Sequence, residues 1–178
     1  TKQEYKDTDD ELLSIPEDVE KKYRYIANYP IVSKFSNSNA IGIVGERSKL
    51  YGVLKNITLD ICIRHFYNDV KLFYMFSEND CERFAWLRWL THVNNDDIGV
   101  RNLIYDEESR NTILEYLYKQ LTSRESQSNS SDNPSFNTFF VVFVFDSKGI
   151  SKHPISKYIE SCNKYGFIFV FFEEHKEF

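Results

Sequence analysis

The stretch AIGIVGERSKLYG, residues 40–52, lies where nucleotide-binding proteins place a phosphate loop. An apolar run enters Gly45, and apolar residues then recur at helical spacing, which predicts a strand, a tight turn and a helix. A working phosphate loop reads GxxxxGK[ST], because its backbone amides cradle the phosphates, its lysine neutralises charge and its hydroxyl binds magnesium. The question is whether this turn carries the same groups.

Neither alignment of that motif supplies them. If Gly45 follows the first motif glycine, Lys49 stands at the second glycine. Leu50 then replaces the lysine, and Tyr51 replaces the hydroxyl residue. If Gly45 is itself the first glycine, the same three places fall on Leu50, Tyr51 and Gly52. We therefore predict a strand-to-helix turn that needs Gly45 for its backbone and binds no triphosphate, although Lys49 lies near a helix amino terminus, which attracts anions.

A second candidate is Asp146, which follows the apolar run FFVVFVF. Asp146 resembles the aspartate at the end of a strand that holds magnesium in phosphate-loop ATPases. Ser147, however, stands where many of these ATPases place a catalytic glutamate. The alternative is that Asp146 caps the turn after its strand, and we favour it. The sequence also lacks a GxSxG elbow and a Cys/His dyad of plausible spacing. We predict no catalytic residue.

Composition narrows the remaining classes. The four histidines are scattered, and Cys62, Cys81 and Cys162 form no CxxC pair, so we predict no metal site and reduced thiols. A formal net charge of −5 gives no basic footprint for nucleic acid. The longest apolar runs are too short to cross a bilayer, and no signal peptide is expected in the polar start TKQEYKDTDDELL.

The predicted strands alternate with helices, so we predict a three-layer α/β sandwich with a mostly parallel sheet, similar to a P-loop NTPase but degenerate. Residues 1–35 form a lead-in with one helix, between Pro16 and Pro30. Residues 36–178 form a single ATPase-like domain. Within it, the serine- and asparagine-rich segment 122–137 lacks periodicity and is predicted to be a mobile loop.

The segment RFAWLRWLTH is crowded with aromatic residues. Because tryptophan offers a large contact area at low entropy cost, we consider Trp86, Trp89 and the neighbouring His92 a possible interaction surface. The alternative is that both tryptophans are ordinary core.

The succession IGIVG, HFYNDVKLFYMF, RFAWLRWLTHVNND, LYKQL and FFVVFVFDSKGISKHPI resembles the segment of type VII secretion ATPases, the EssC/EccC family, that precedes their first FtsK/SpoIIIE motor domain. The most specific match is WLRWLTH, which is similar to a WxxWLPH signature in that family, with Thr91 at the usual proline. The resemblance covers nearly the whole chain.

This resemblance implies a non-catalytic ATPase-like connector between a membrane-linked stalk and the motor domains, at the cytoplasmic face of the membrane. Its partners would be those neighbouring domains and other secretion subunits. ATP and magnesium would bind to downstream motor domains and not to this chain. Two alternatives stay open: a nucleotide-binding or active FtsK/SpoIIIE-type ATPase domain, and a free-standing interaction module.

Overall fold

The structure of the chain, a computed structural model, describes residues 14–25, 34–130 and 135–174. The chain divides into two compact units, Thr1–Ser33 and Lys34–Phe178. In the first unit, helix α1 spans Ser14–Tyr23 and has Pro16 in its first turn. The predicted end of this helix at Pro30 lies outside the described residues.

The described part of the second unit contains a parallel sheet and a short hairpin. The strands are β1 (Ala40–Gly45), β2 (Val70–Met75), β3 (Asn94–Asn95), β4 (Val100–Arg101), β5 (Leu103–Ile104), β6 (Phe139–Val144) and β7 (Phe167–Glu174). The sheet has the order β1, β7, β6, β2, β5, and every neighbouring pair in it is parallel. Strands β3 and β4 form the antiparallel hairpin.

Helices cover both faces of the sheet. The α-helices are α2 (Arg47–Arg64), α3 (Cys81–Phe84) and α4 (Glu107–Ser130). Short 3-10 segments lie at Phe35–Asn37, Glu78–Asp80, Ala85–Trp89, Thr91–Val93, Pro154–Tyr158 and Cys162–Tyr165. No helix in the described ranges combines the length and the apolar character that a bilayer crossing requires.

The core has one apolar cluster on each face of the sheet. One cluster joins side chains such as Phe73 and Val142 to α4 and to the 3-10 segments before β7. The other joins side chains such as Tyr74 and Phe143 to α2 and to the segment around Leu87. Strands β2, β6 and β7 are buried on both faces, which explains their nearly continuous apolar sequences. The predicted three-layer α/β sandwich is confirmed.

The predicted mobile loop at 122–137 is wrong over its first nine residues. Helix α4 runs through this segment to Ser130, and 131–134 lie outside the described residues. The hydroxyls of Thr122 and Ser126 donate to carbonyls four residues earlier, so the serine-rich sequence satisfies its polar groups within a helix. Arg124 anchors this part of the helix by donating from Nη1 to the Tyr165 carbonyl over 2.7 Å.

Candidate functional site

The turn at Gly45 is much shorter than a phosphate loop. Strand β1 ends at Gly45 and helix α2 begins at Arg47, so Glu46 alone separates them. The GxxxxGK[ST] motif needs a run of residues whose amides wrap around the phosphates, and one residue does not form such a cradle. The turn therefore has the order strand, turn, helix without the loop itself.

The backbone conformation of this turn does not require a glycine at position 45. The glycines with a positive φ in the described residues are Gly99, Gly149 and Gly166. A Cβ atom at Gly45 would make ordinary van der Waals contact, 3.5 Å from Cδ2 of Leu50. The expectation that the turn needs Gly45 for its conformation is therefore wrong.

Acidic and basic side chains at the start of α2 pair with each other. The Glu46 carboxylate accepts a hydrogen bond from the Ser48 hydroxyl and lies 3.1 Å from Nζ of Lys49. The hydrogen bond from Ser48, and then the contact with Lys49, lower the pKa of Glu46 below its usual value. Lys49 therefore lies beside the carboxylate of Glu46, the residue before its helix, at the position where an anion would be attracted.

Leu50 and the ring of Tyr51, in the first turns of α2, pack against apolar groups. Leu50 is only 3% exposed and belongs to the core cluster under α2. The Tyr51 ring stacks on Phe145 with 5.2 Å between ring centroids, and Phe145 stacks on Phe172 at 4.3 Å. This aromatic stack joins the first turns of α2 to β7 and to the end of β6. The positions of the motif lysine and hydroxyl are thus occupied by groups that fill space.

The sequence did not predict a polar cluster that forms around the Tyr51 hydroxyl. Nε of Arg47 donates to the Tyr51 hydroxyl over 2.9 Å, and that hydroxyl donates to Oδ1 of Asp80 over 3.0 Å. Arg47 also pairs with Oδ2 of Asp80 at 2.7 Å, and the Arg83 guanidinium lies 4.3 Å from the centroid of the Tyr51 ring. Asp80 and Arg83 lie about thirty residues from Tyr51 in the sequence, and no spacing pattern links them.

Asp146 caps its own turn. Its Oδ1 accepts a hydrogen bond from the backbone N–H of Lys148 over 2.9 Å, which is an Asx-type turn. This arrangement matches the alternative that Asp146 is a turn residue.

The thiols and histidines do not combine into a metal site in the described ranges, where no three His, Cys, Asp or Glu side chains gather suitably. Cys62, Cys81 and Cys162 are all free. Cys162 is buried, and burial raises the pKa of its thiol to about 12. Its Sγ lies among backbone carbonyls, with the Asn39 oxygen at 3.2 Å, so it serves as packing.

The aromatic segment separates into an inner and an outer part. Trp89 is 79% exposed, whereas Trp86 is partly buried and packs against the core cluster. His92 is only 7% exposed, and its Nε2 donates to the His65 carbonyl over 2.9 Å. The inclusion of His92 in an interaction surface is therefore wrong, because the 3-10 turn at Thr91–Val93 directs its ring inward.

A groove of 540 Å³ lies beside Arg88, the neighbour of Trp89 in the sequence, between β4–β5 and the start of α4. Its lining includes Arg88, Arg101, Leu103 and Tyr105. The guanidinium of Arg88 lies 5.4 Å from the centroid of the Trp89 ring. Sequence reasoning missed both arginines, although Arg88 stands inside the WLRWL motif.

No family model matches the chain. Among curated proteins, the chain is 32% identical over 169 residues to the ESX secretion system protein EccC of Geobacillus thermodenitrificans, which covers 94% of this chain. It is 24% identical over 177 residues to the type VII secretion system protein EssC of Staphylococcus aureus, which covers 97% of this chain. The chain spans only 11–12% of the length of these relatives.

Two solved structures from Thermomonospora curvata share the fold. The cytoplasmic domain of the type VII secretion ATPase EccC aligns with 82% of this chain and 17% of its own, at a TM-score of 0.62 and 12% identity. EccC ATPases 2 and 3 in complex with a signal sequence peptide align with 82% of this chain and 27% of their own, at a TM-score of 0.59 and 11% identity. Together with the sequence relatives, these findings show that the chain is homologous to part of the EccC/EssC type VII secretion ATPases.

Proposed function

We propose that this chain is a non-catalytic, ATPase-like domain of a type VII secretion ATPase, which connects and assembles the domains beside it. The observation that carries the proposal is the single residue, Glu46, between β1 and α2. A nucleotide site depends on a loop of amides, a lysine and a hydroxyl at this point. The chain supplies a helix start that is already paired with its own carboxylate.

The packing around the turn supports this proposal. Leu50 is core, and Tyr51 is fixed by its stack on Phe145 and by Arg47 and Asp80. A nucleotide in a phosphate-loop position would have to displace this arrangement, which includes a 2.7 Å ion pair and an aromatic contact. Since Leu50 offers neither charge nor hydrogen bonds, the displaced groups would not be replaced by phosphate contacts.

The surface beside Trp89 supports a role in contact. Interfaces concentrate binding energy in tryptophan, tyrosine and arginine side chains. Trp89 is exposed, and the adjacent groove carries Arg88, Arg101 and Tyr105. We therefore propose that this face meets a neighbouring domain, either a stalk or a motor domain of the longer protein, or another secretion subunit. In this scheme the domain binds no nucleotide, metal or nucleic acid and reaches the cytoplasmic face of the membrane only through the longer protein.

Titration of the chain with labelled ATP and magnesium tests the catalytic half of the proposal. We expect no saturable binding and no turnover above background, because neither phosphate nor magnesium ligands are assembled at Gly45. Magnesium-dependent turnover that disappears in Asp146→Ala would overturn the proposal and favour the alternative of an active FtsK/SpoIIIE-type ATPase domain. Saturable binding without turnover would favour a nucleotide-binding switch.

A secretion assay in the longer protein tests the connector half. Trp89→Ala should reduce secretion or assembly while the protein level stays unchanged. Ile63→Ala is the control, because Ile63 is an 83% exposed apolar side chain that does not line the groove. Equal loss in both variants, or no loss in either, would contradict a specific contact at Trp89.

A further inference from the structure

A second cavity, of 310 Å³, lies at the opposite end of the sheet from Gly45. It opens near the starts of β2 and β6, between the β3–β4 hairpin and α4, and its lining includes Lys71, Asp96, Asp97, Tyr116 and Arg124. Because the strands are parallel, their starts and the Gly45 turn lie at different edges of the sheet. The cavity therefore lies away from the Gly45 turn, and its lining shares no residue with the groove lined by Arg88.

Arg124 borders this cavity and is unusual for a buried cation. It is 8% exposed, and the ion pairs of the described residues do not include it. A guanidinium has five N–H donors, but the described residues give this one a single acceptor, the Tyr165 carbonyl at 2.7 Å. Burying a charged group without an opposite charge is costly. A ligand that accepts from the remaining N–H donors of Arg124 and carries a negative charge would offset that cost.

Aromatic rings hold the Arg124 guanidinium in place. It lies 5.0 Å from the ring centroid of Phe136, 4.6 Å from that of Phe140 and 5.1 Å from that of Phe167. Ring faces stabilise a cation without using its N–H donors. Burial still lowers the pKa of Arg124 to about 10, which fits a cation without a carboxylate partner. The group is thus pre-oriented at the cavity wall and incompletely satisfied.

The other polar side chains of the cavity restrict the ligand class. Lys71 and Arg124 are opposed by Asp96 and Asp97, so these four charges sum to zero and disfavour a multiply charged phosphate. The Tyr116 hydroxyl donates to Oδ2 of Asp97 over 2.7 Å, which fixes one acidic group at the rim. A volume of 310 Å³ lies at the small end of ligand pockets, which span about 300–1,000 Å³.

We propose that this cavity binds an amino-acid-sized ligand by its carboxylate. The carboxylate accepts hydrogen bonds from the free N–H groups of Arg124. Arginine binds such anions most strongly when two of its N–H groups donate to the two carboxylate oxygens. An ammonium group on the same ligand faces Asp96 and Asp97.

Nuclear magnetic resonance on the intact chain tests the proposal. The readouts are the arginine Nε–H signals and the backbone amide signals of Asp97 and Tyr116 in the cavity lining, which remain measurable in Arg124→Met. Glycine, acetate and phosphate are titrated at constant ionic strength. We expect a saturable shift of the Arg124 signal with glycine and a weaker one with acetate, and none of comparable size with phosphate. No saturable shift with either carboxylate, or a phosphate shift as strong as that of glycine, would overturn the proposal.

Three variants assign the effect to the cavity. Arg124→Met keeps an unbranched stem and removes the donors, so binding should weaken at least about tenfold. Lys119→Met is the matched control, because Lys119 is an exposed cation on the same helix, paired with Glu115 and outside the cavity lining. Asp96→Asn should weaken the binding of glycine and leave the binding of acetate unchanged.

If Arg124→Met does not fold, the wild-type titration and the Asp96→Asn variant, whose substitution is at an exposed residue, still test whether the cavity binds the ligand. A glycine effect that persists in folded Arg124→Met, or one that Lys119→Met removes equally, places the ligand elsewhere and overturns the proposal. A glycine effect that Asp96→Asn leaves unchanged contradicts the proposed orientation of the ligand.

Discussion

The two tryptophans of WLRWL are expected to differ sharply in what they contribute to stability. Trp89 is 79% exposed, so only about a fifth of its surface is shielded from water. A fully buried aromatic side chain removes roughly 150–250 Å² from water, so a fifth of that is about 30–50 Å². At about 25 cal/mol per Å², Trp89→Ala should cost about 1 kcal/mol of unfolding free energy, and its contact with Arg88 adds at most about another 1 kcal/mol.

Trp86 should behave differently, because it packs against the core cluster that contains Phe84 and Leu87. Replacing a core tryptophan by alanine typically costs about 3–5 kcal/mol, and the partial exposure of Trp86 places it near the lower end. Urea unfolding followed by circular dichroism measures both variants on a signal that does not depend on tryptophan. Acrylamide quenching of Trp86→Phe and Trp89→Phe, each with one remaining tryptophan, reports exposure independently.

A loss of about 3 kcal/mol or more in Trp89→Ala, with Trp89 protected from acrylamide, would refute this reasoning. Such a result would show that Trp89 is core in solution and would remove the main support for a contact surface. Equal, small losses in both variants would instead contradict the assignment of Trp86 to the core. Only a large difference between the two variants agrees with the structure.

Three further outcomes are expected. Cys162 should resist a thiol reagent in the native chain while Cys62 and Cys81 react, because Cys162 is buried and its pKa is raised to about 12; mass spectrometry of labelled peptides checks this, and equal labelling would contradict it. Leu50→Lys, which restores a lysine to the motif, should destabilise the chain by roughly 3 kcal/mol or more without creating ATP binding, because it buries an unpaired charge; thermal unfolding with and without ATP decides. Gly166→Ala should lower the free energy of unfolding in urea by about 1–2 kcal/mol or more. The reason is that Gly166 has a φ of 75° and that an added Cβ would lie 2.9 Å from Nη1 of Arg124. Gly52→Ala is the control and should stabilise the chain slightly, because Gly52 lies in a helix with open space around it.

Local patterns predicted most of the fold. The apolar runs of β2, β6 and β7 and the helical spacing after Gly45 located the elements. Burial on two faces leaves a continuous apolar run in the sequence, and burial of one helix face leaves a periodic pattern. The end of α4 was mispredicted for a physical reason. Serine-rich composition does not exclude a helix when hydroxyls bond to preceding carbonyls and Arg124 anchors the segment from outside it.

The candidate sites were predictable only where chemistry depends on neighbours in sequence. The missing lysine and hydroxyl at Gly45 could be seen directly, and so could the turn-forming character of Asp146. The partners of Tyr51 could not, because Asp80 reaches it from another element of the fold. The burial of His92 was also invisible, since its acceptor is the backbone carbonyl of His65, which carries no side-chain signal.

These contacts explain how the start of α2 keeps its place without a phosphate loop. In a nucleotide site, the backbone amides at this helix start bind the phosphates. Here Leu50 is buried in the core and Tyr51 stacks on Phe145, so apolar contacts hold the same turn. The ion pair between Arg47 and Asp80 adds a polar link on the surface of the turn. These packing contacts and the ion pair keep the start of α2 against the sheet, and none of them involves a nucleotide.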